Sequence, residues 1–328
     1  MTDRHQSLVR LVCSAATLVL MMPLAAAAES PTIATFSIVA RDPATGELGV
    51  AVQSRFFAVG AAVPFAEGGV GAIATQAMGN PNFGPRGLQL LREGRTVQET
   101  LTILLKEDPQ RDLRQVGIVD ATGHSLAHTG SKTVSWAGHR TGPDFSIQGN
   151  ILVSEATVMA MERAFVGTRG TLAERMLSAL EEGQKAGGDA RGMQSAALLI
   201  VKKGGGYGGT DRYCDLRVDD HAEPIAELRR LFTVWRVRML MMEGHRLLEA
   251  KDFTRAIAVG EEAIALDPSG HSHFSLAGVL ALAGRPHDAI RRLQEAVSRD
   301  PKLAAWVAAH PSFEPLRNTD AFKRIVGK

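Results

Sequence analysis

The chain has 328 residues, with 37 Lys and Arg against 35 Asp and Glu and a formal charge of +2. The two signs are interspersed, which argues against a surface dedicated to nucleic acid. Its two cysteines, Cys13 and Cys214, exclude a disulfide framework, so the fold must stand on its core.

Residues 1–28 are expected to be a secretory signal peptide. Arg4 and Arg10 supply a basic start, and Leu11 to Leu24 is an apolar run too short to span a bilayer comfortably. Ala25 to Ala28 place small residues at −3 and −1 of a cleavage site. The mature protein is then periplasmic or secreted and keeps Cys214 alone. No later run is apolar enough to cross a membrane. About 300 residues remain, a length that suggests two domains.

Thr35 to Arg41 reads as a strand, Asp42 to Glu47 as turn chemistry, and Leu48 to Ser54 as the returning strand of a hairpin. If processing stops at Thr35, that residue carries both a hydroxyl nucleophile and an α-amine to serve as its base. Gly60 to Pro64 and Gly68 to Gln76 have the Gly, Ala and Val content of buried strands. Pro85 to Arg92 and Thr96 to Glu107 read as helices, the second opened by a threonine cap. Gln115 to Asp120 and Ser125 to Thr129 form a hairpin across Ala121-Thr122-Gly123-His124. Val158 to Phe165 and Leu172 to Gly183 are amphipathic helices. Ser195 to Val201 pairs with Arg212 to Val218 across a glycine-rich turn. Hairpins make antiparallel strands. Helices between hairpins predict an α+β sandwich of two facing sheets with helices outside, not a doubly wound parallel fold.

From about residue 237 the chain is helical and repetitive. Asp267-Pro268 recurs as Asp300-Pro301, Ala256 as Ala289, and Ala263 as Ala296. This spacing resembles tetratricopeptide repeats of about 34 residues, with small residues letting paired helices approach. Two repeats are expected, 237–269 and 270–302, with a capping tail to residue 328. The module is either a groove for a protein or peptide partner or a structural cap. The apolar run Val237 to Met242 is a domain-packing face or a homo-oligomer interface.

No serine triad, zinc signature or P-loop is present, and neither a cofactor nor a metal is expected. His124, His128 and His139 fit no standard ligand spacing. Gly204 to Gly209 lacks the Gly-Lys-Ser/Thr ending of a phosphate cradle and reads as a hairpin loop. Asp211, Asp215, Asp219 and Asp220 do not match an EF-hand loop and are expected to pair with Arg212 and Arg217.

Several segments carry a resemblance. Thr35-Phe36-Ser37-Ile38-Val39-Ala40-Arg41-Asp42, Gly49-Val50-Ala51-Val52-Gln53-Ser54-Arg55, Gln148-Gly149-Asn150-Ile151-Leu152 and Asp211-Arg212-Tyr213-Cys214-Asp215-Leu216-Arg217 are similar to the bacterial domain-of-unknown-function 1028 family. The likeness covers residues 35–232. That family is placed among N-terminal nucleophile hydrolases, which implies a four-layer αββα sandwich, here followed by the small all-α repeat domain of residues 237–328.

The resemblance implies site residues one by one. Thr35 holds the nucleophile position. Gln76 and Asn150 are candidates for amide donors to an oxyanion. Ser54 and Arg55 sit where a polar residue supports the nucleophile, and Arg55 could lower the pKa of the α-amine. The early-strand lysine of proteasome-like members has no counterpart, since the first lysine is Lys106. Cleavage after Ala28 would leave residues 29–34 as a short propeptide. Either signal peptidase cuts after Ala34 instead, or Thr35 releases the propeptide itself. Two functions follow: an amidohydrolase acting on a small or short-peptide amide, or a non-catalytic binding protein that holds its partner through the repeats.

Overall fold

The computed structural model describes residues 35–327; the expected signal peptide and propeptide lie outside the described residues. A hairpin opens the fold, β1 (Thr35–Arg41) and β2 (Leu48–Ser54). β3 (Pro64–Glu67), β4 (Gly71–Ala77), α1 (Phe83–Arg92) and α2 (Val97–Glu107) follow. β5 (Arg114–Asp120), β6 (Ser125–Thr129), β7 (Gly138–Gly142) and β8 (Phe145–Asn150) lead into α3 (Ala156–Gly167) and α4 (Leu172–Lys185). The last hairpin is β9 (Ser195–Val201) and β10 (Arg212–Val218). The C-terminal region is helical: α5 (Pro224–Glu249), α6 (Phe253–Leu266), α7 (Gly270–Leu282), α8 (Pro286–Arg299), α9 (Leu303–Ala309) and α10 (Asp320–Ile325).

The strands form two antiparallel sheets, one ordered β10-β9-β2-β1-β8-β7 and the other β3-β4-β5-β6. The two-residue period of a strand assigns the faces. Phe36, Ile38 and Ala40 of β1 pack with Met161, Leu177 and Leu180 of α3 and α4. Val39 packs instead with Val50 and Val52 of β2 and with Ala72, Ala74 and Val119 of the other sheet. On that sheet's far side Ile73 and Ile118 meet Leu101 and Leu104 of α2. In the β1 register Thr35 lies opposite both Ser54 and Asn150. A one-residue slip would turn Phe36 and Ile38 away from the helices. At about 1.5–3 kcal/mol for each buried apolar side chain, the slip is excluded and the orientation of Thr35 is set with it.

Helix ends carry their own signals. Thr96 and Thr171 each accept from the amide three residues on, while Glu99 and Glu174 reach back to the cap amide.

Three segments differ from expectation. Gly60 to Pro64 is not a strand: Val59–Ala61 is a 3₁₀ turn, and β3 begins only at Pro64. Ala58 there adopts φ 53°, and a Cβ on Gly60 would lie 2.7 Å from the Ala197 Cβ. The small residues thus serve a crossing between sheets. Gly68 to Val70 is the β3–β4 turn, so β4 starts at Gly71. The β7–β8 hairpin lacks apolar alternation in β7, though not in β8, and is held by pairing from Gly138↔Gly149 to Gly142↔Phe145. Gly204 to Gly209 is a hairpin loop whose Gly204 amide donates to Asp211. Arg212 pairs with Asp215, and Arg217 with Asp219.

In the helical region α5 runs unbroken through the expected junction at residues 232–237. Val237 and Leu240 pack with Ala263 and Val259 of α6, so that run is a packing face within the chain. No described helix is long and apolar enough to cross a membrane.

Candidate functional site

Polar residues converge between the sheets at the start of β1. Thr35, Ser37, Ser54, Gln76, Gln115, Ser146, Gln148 and Asn150 are all buried, on strands whose other positions are largely apolar. Burial of so many amides and hydroxyls is tolerable only if they bond one another.

They do so extensively. Thr35 Oγ1 donates to Ser54 Oγ at 3.1 Å. Ser37 Oγ donates to Gln76 Oε1 at 2.6 Å, and Gln148 Nε2 donates to Ser37 Oγ at 2.6 Å. Gln76 Nε2 reaches the Thr35 carbonyl at 3.3 Å and Gln115 Oε1 at 2.8 Å. Asn150 Nδ2 donates to the same Gln115 oxygen at 3.1 Å. Gln115 Nε2 in turn donates to Thr129 Oγ1 and to the carbonyls of Gly138 and Gly149. With donors and acceptors so assigned, the Gln115 amide can face only one way, and it orients both Gln76 and Asn150. Asn150 Oδ1 is buried and has no partner.

Of the residues expected at the site, Thr35, Ser54, Gln76 and Asn150 come together. Gln76 spends its amide hydrogens on Thr35, Gln115 and the Gln148 carbonyl, so it braces Thr35. Asn150 makes one donation through Nδ2 and keeps a second N–H. The Arg55 guanidinium is exposed and reaches the Met193 carbonyl at 3.4 Å, while its backbone amide donates to Asp189 at 2.8 Å.

Asp189 and Arg191 escaped sequence reasoning, as did Gln115. Asp189 is buried and accepts from the Arg191 amide and guanidinium as well as from Arg55, tying the end of β2 to the loop before β9. Nothing in the local sequence marks Asp189. Gln115 did leave a signal: it is a long polar residue in phase with the inward-facing Val119 of β5.

His139 lies at the rim, with Nδ1 2.8 Å from Thr129 Oγ1. Burial, with His128 nearby, holds its pKa below the usual histidine range. His128 bonds the Arg111 carbonyl. Among the described residues no group of His, Cys, Asp and Glu is arranged to hold a metal ion. Burial pushes the Cys214 thiol well above its ordinary pKa, so it is a poor nucleophile.

A family described as of unknown function (DUF1028) matches residues 35–228. The match and β1 begin at the same residue, Thr35. The crystal structure of a protein from Silicibacter pomeroyi assigned to that family is similar, with a TM-score of 0.56 and 33% identity over 61% of this chain and 84% of that one. No curated protein matches the chain.

Proposed function

This chain belongs to the family of unknown function DUF1028, and on that premise we propose that it is a periplasmic or secreted amidohydrolase with Thr35 as its N-terminal nucleophile. The observation that carries this reading is the placing of Thr35. It heads a central strand, with its hydroxyl on Ser54, its carbonyl held by Gln76, and Asn150 opposite it. We read residues 35–232 as a four-layer αββα sandwich, supported by the core shared between the sheets and the helix-facing cores outside.

In the proposed reaction the released α-amine of Thr35 takes the Oγ proton, and Oγ attacks the substrate carbonyl. The resulting oxyanion accepts the spare N–H of Asn150. Collapse breaks the C–N bond, the departing nitrogen takes the proton, and an ester on Thr35 remains. Water, activated by the same amine, hydrolyses that ester and restores Thr35.

The amine must first be freed from residues 29–34. We propose that Thr35 Oγ does this by attacking the Ala34 carbonyl, an N-to-O acyl shift followed by hydrolysis. Intact mass and N-terminal sequencing of the protein recovered from a secreting host test it. A chain starting at Thr35, with residues 29–34 retained in Thr35→Ala, is the expected result. A wild-type chain starting at Glu29 that no hydroxyl-directed electrophile labels would overturn the hydrolase reading.

We further read 237–269 and 270–302 as tetratricopeptide-like repeats. Ala256, Ala263, Ala289 and Ala296 are buried at the 33-residue offset, and Asp267 and Asp300 end α6 and α8 in matching extended conformations. This supports a second role, in which the repeats hold a protein or peptide partner. A tight complex lost on truncation at residue 249, from a chain that never exposes Thr35, would favour that role over catalysis.

A further inference from the structure

The two sheets do not cover one another fully. β3 edges its sheet and lies over β2 and β9, whereas β10, at the edge of the six-stranded sheet, packs on β9 and α5. The inner face of β10 is therefore left as one wall of an open cleft of about 690 Å3, floored by Ala197 and Leu199 and walled opposite by β3 and α1. This volume suits a small organic molecule.

Charge is placed in this cleft by a local irregularity. The pairing of β10 with β9 shifts between Arg212 and Cys214, so that Arg212, Asp215 and Arg217 oppose Val201, Leu199 and Ala197 on one face. Without that bulge the alternation would turn Arg212 toward α5. Gly60 makes room for Arg217, since a Cβ there would lie 2.9 Å from the Arg217 Cγ. Arg92 of α1 lines the opposite wall beside its partner Glu67. Arg212 is bound to Asp215 at 2.9 Å, and Arg217 to the exposed Asp219 at 3.1 Å. One carboxylate uses at most two of the five N–H donors of a guanidinium, so both arginines keep donors for a ligand. The apolar surface beside them, Phe65, Leu88 and Leu199, suits a hydrocarbon or aromatic body.

We propose that this cleft, two strands away from β1, is a binding site for a small organic carboxylate with an apolar body. The carboxylate takes the N–H donors of Arg212 and Arg217 that Asp215 and Asp219 leave over, and the body rests on Leu199 and Phe65. The site does not depend on the reading of Thr35.

Isothermal titration of the full chain with phenylacetate tests it, alongside 2-phenylethanol and inorganic phosphate. Phenylacetate should bind saturably, with the neutral alcohol and phosphate each weaker by about tenfold or more. Arg212→Gln and Arg217→Gln should each weaken phenylacetate by about tenfold, and Arg217→Lys, which keeps the charge without the fork, by less. Asp215→Asn, which removes the competing acceptor on Arg212, should tighten binding; loss of a purely structural ion pair would not. Melting curves of each variant verify that it is folded. Equal binding of phenylacetate and the alcohol, preference for phosphate, no saturation, or insensitivity to both arginine variants overturns the proposal.

Discussion

Gln53 and Gln115 are both fully buried on central strands, and they differ in every hydrogen bond. Both side-chain atoms of Gln53 lack partners, and its strand neighbours Phe36 and Ala196 belong to the core beneath α3 and α4. Gln115 accepts from two amides and donates to three oxygens. An unmade bond to a buried amide costs about 1–3 kcal/mol, whereas a bonded one is stabilising. The same substitution should therefore act with opposite sign. Gln53→Leu is expected to raise stability by about 1 kcal/mol, and Gln115→Leu to lower it by about 3 kcal/mol by stranding Asn150 and loosening Gln76. Urea midpoints of the two variants decide the matter; equal signs would show that one of the two amides does not have the environment described. Both residues stand in strands that sequence pattern identifies, yet no pattern separates the satisfied glutamine from the unsatisfied one.

Elements divide by how local their causes are. α2 was readable from its threonine cap and α4 from its amphipathic period, and each proves to open on a capping box within four residues of chain. Thr171→Ala removes the cap of α4, the helix that carries Met176, Leu177 and Leu180 onto the six-stranded sheet. The expected loss is about 1 kcal/mol, seen as a lower melting temperature without loss of secondary structure at 25 °C. The β1–β2, β5–β6 and β9–β10 hairpins were equally readable from alternation and turn residues. The β7–β8 hairpin was not. β8 alternates but β7, Gly-His-Arg-Thr-Gly, has no apolar residue to alternate, and the tight turn depends on Asp144 at φ 66°, which is held by Arg41 from over a hundred residues earlier. Gly60 to Pro64 misled for the opposite reason. Its small apolar residues suit a strand, but here they allow close approach of a turn to β9 and β10.

The whole molecule should be acid-sensitive above the carboxylate range. His273 on α7 is buried, and neither ring nitrogen has a partner. Burial, with Arg292 and Arg299 nearby, outweighs Glu295 and Glu261 and keeps its pKa below the ordinary value. His139, exposed on β7, is shifted the same way by partial desolvation and by His128. In the unfolded chain both titrate near about 6.5. Below that pH the unfolded state binds more protons than the native state, so stability is complete above about 6.5 and declines as pH falls toward the native-state values. Denaturation curves at pH 7.5 and 5.5 should show the loss, and His273→Leu should reduce it. A stability that is flat across this interval would contradict the burial of the His273 ring.

By itself the sequence determined the residue-to-residue matters. These are the alternation that makes strands, the caps that start helices, the 33-residue offset of buried alanines, and membership of the family through residues 35–228. Those signals are legible because each is generated within one element or one turn. Tertiary structure alone decided which buried polar groups meet. Gln115 bonds its cross-strand partner Gln76 and, on the other sheet, Asn150, at separations of 39 and 35 residues. Asp189 braces Arg55 across 134. Hydrogen bonds act over about 3 Å and depend on angle. The Gln76 bond needs the β4–β5 register, and the Asn150 bond exists only once the two sheets have stacked, a distance that no local pattern in the chain encodes.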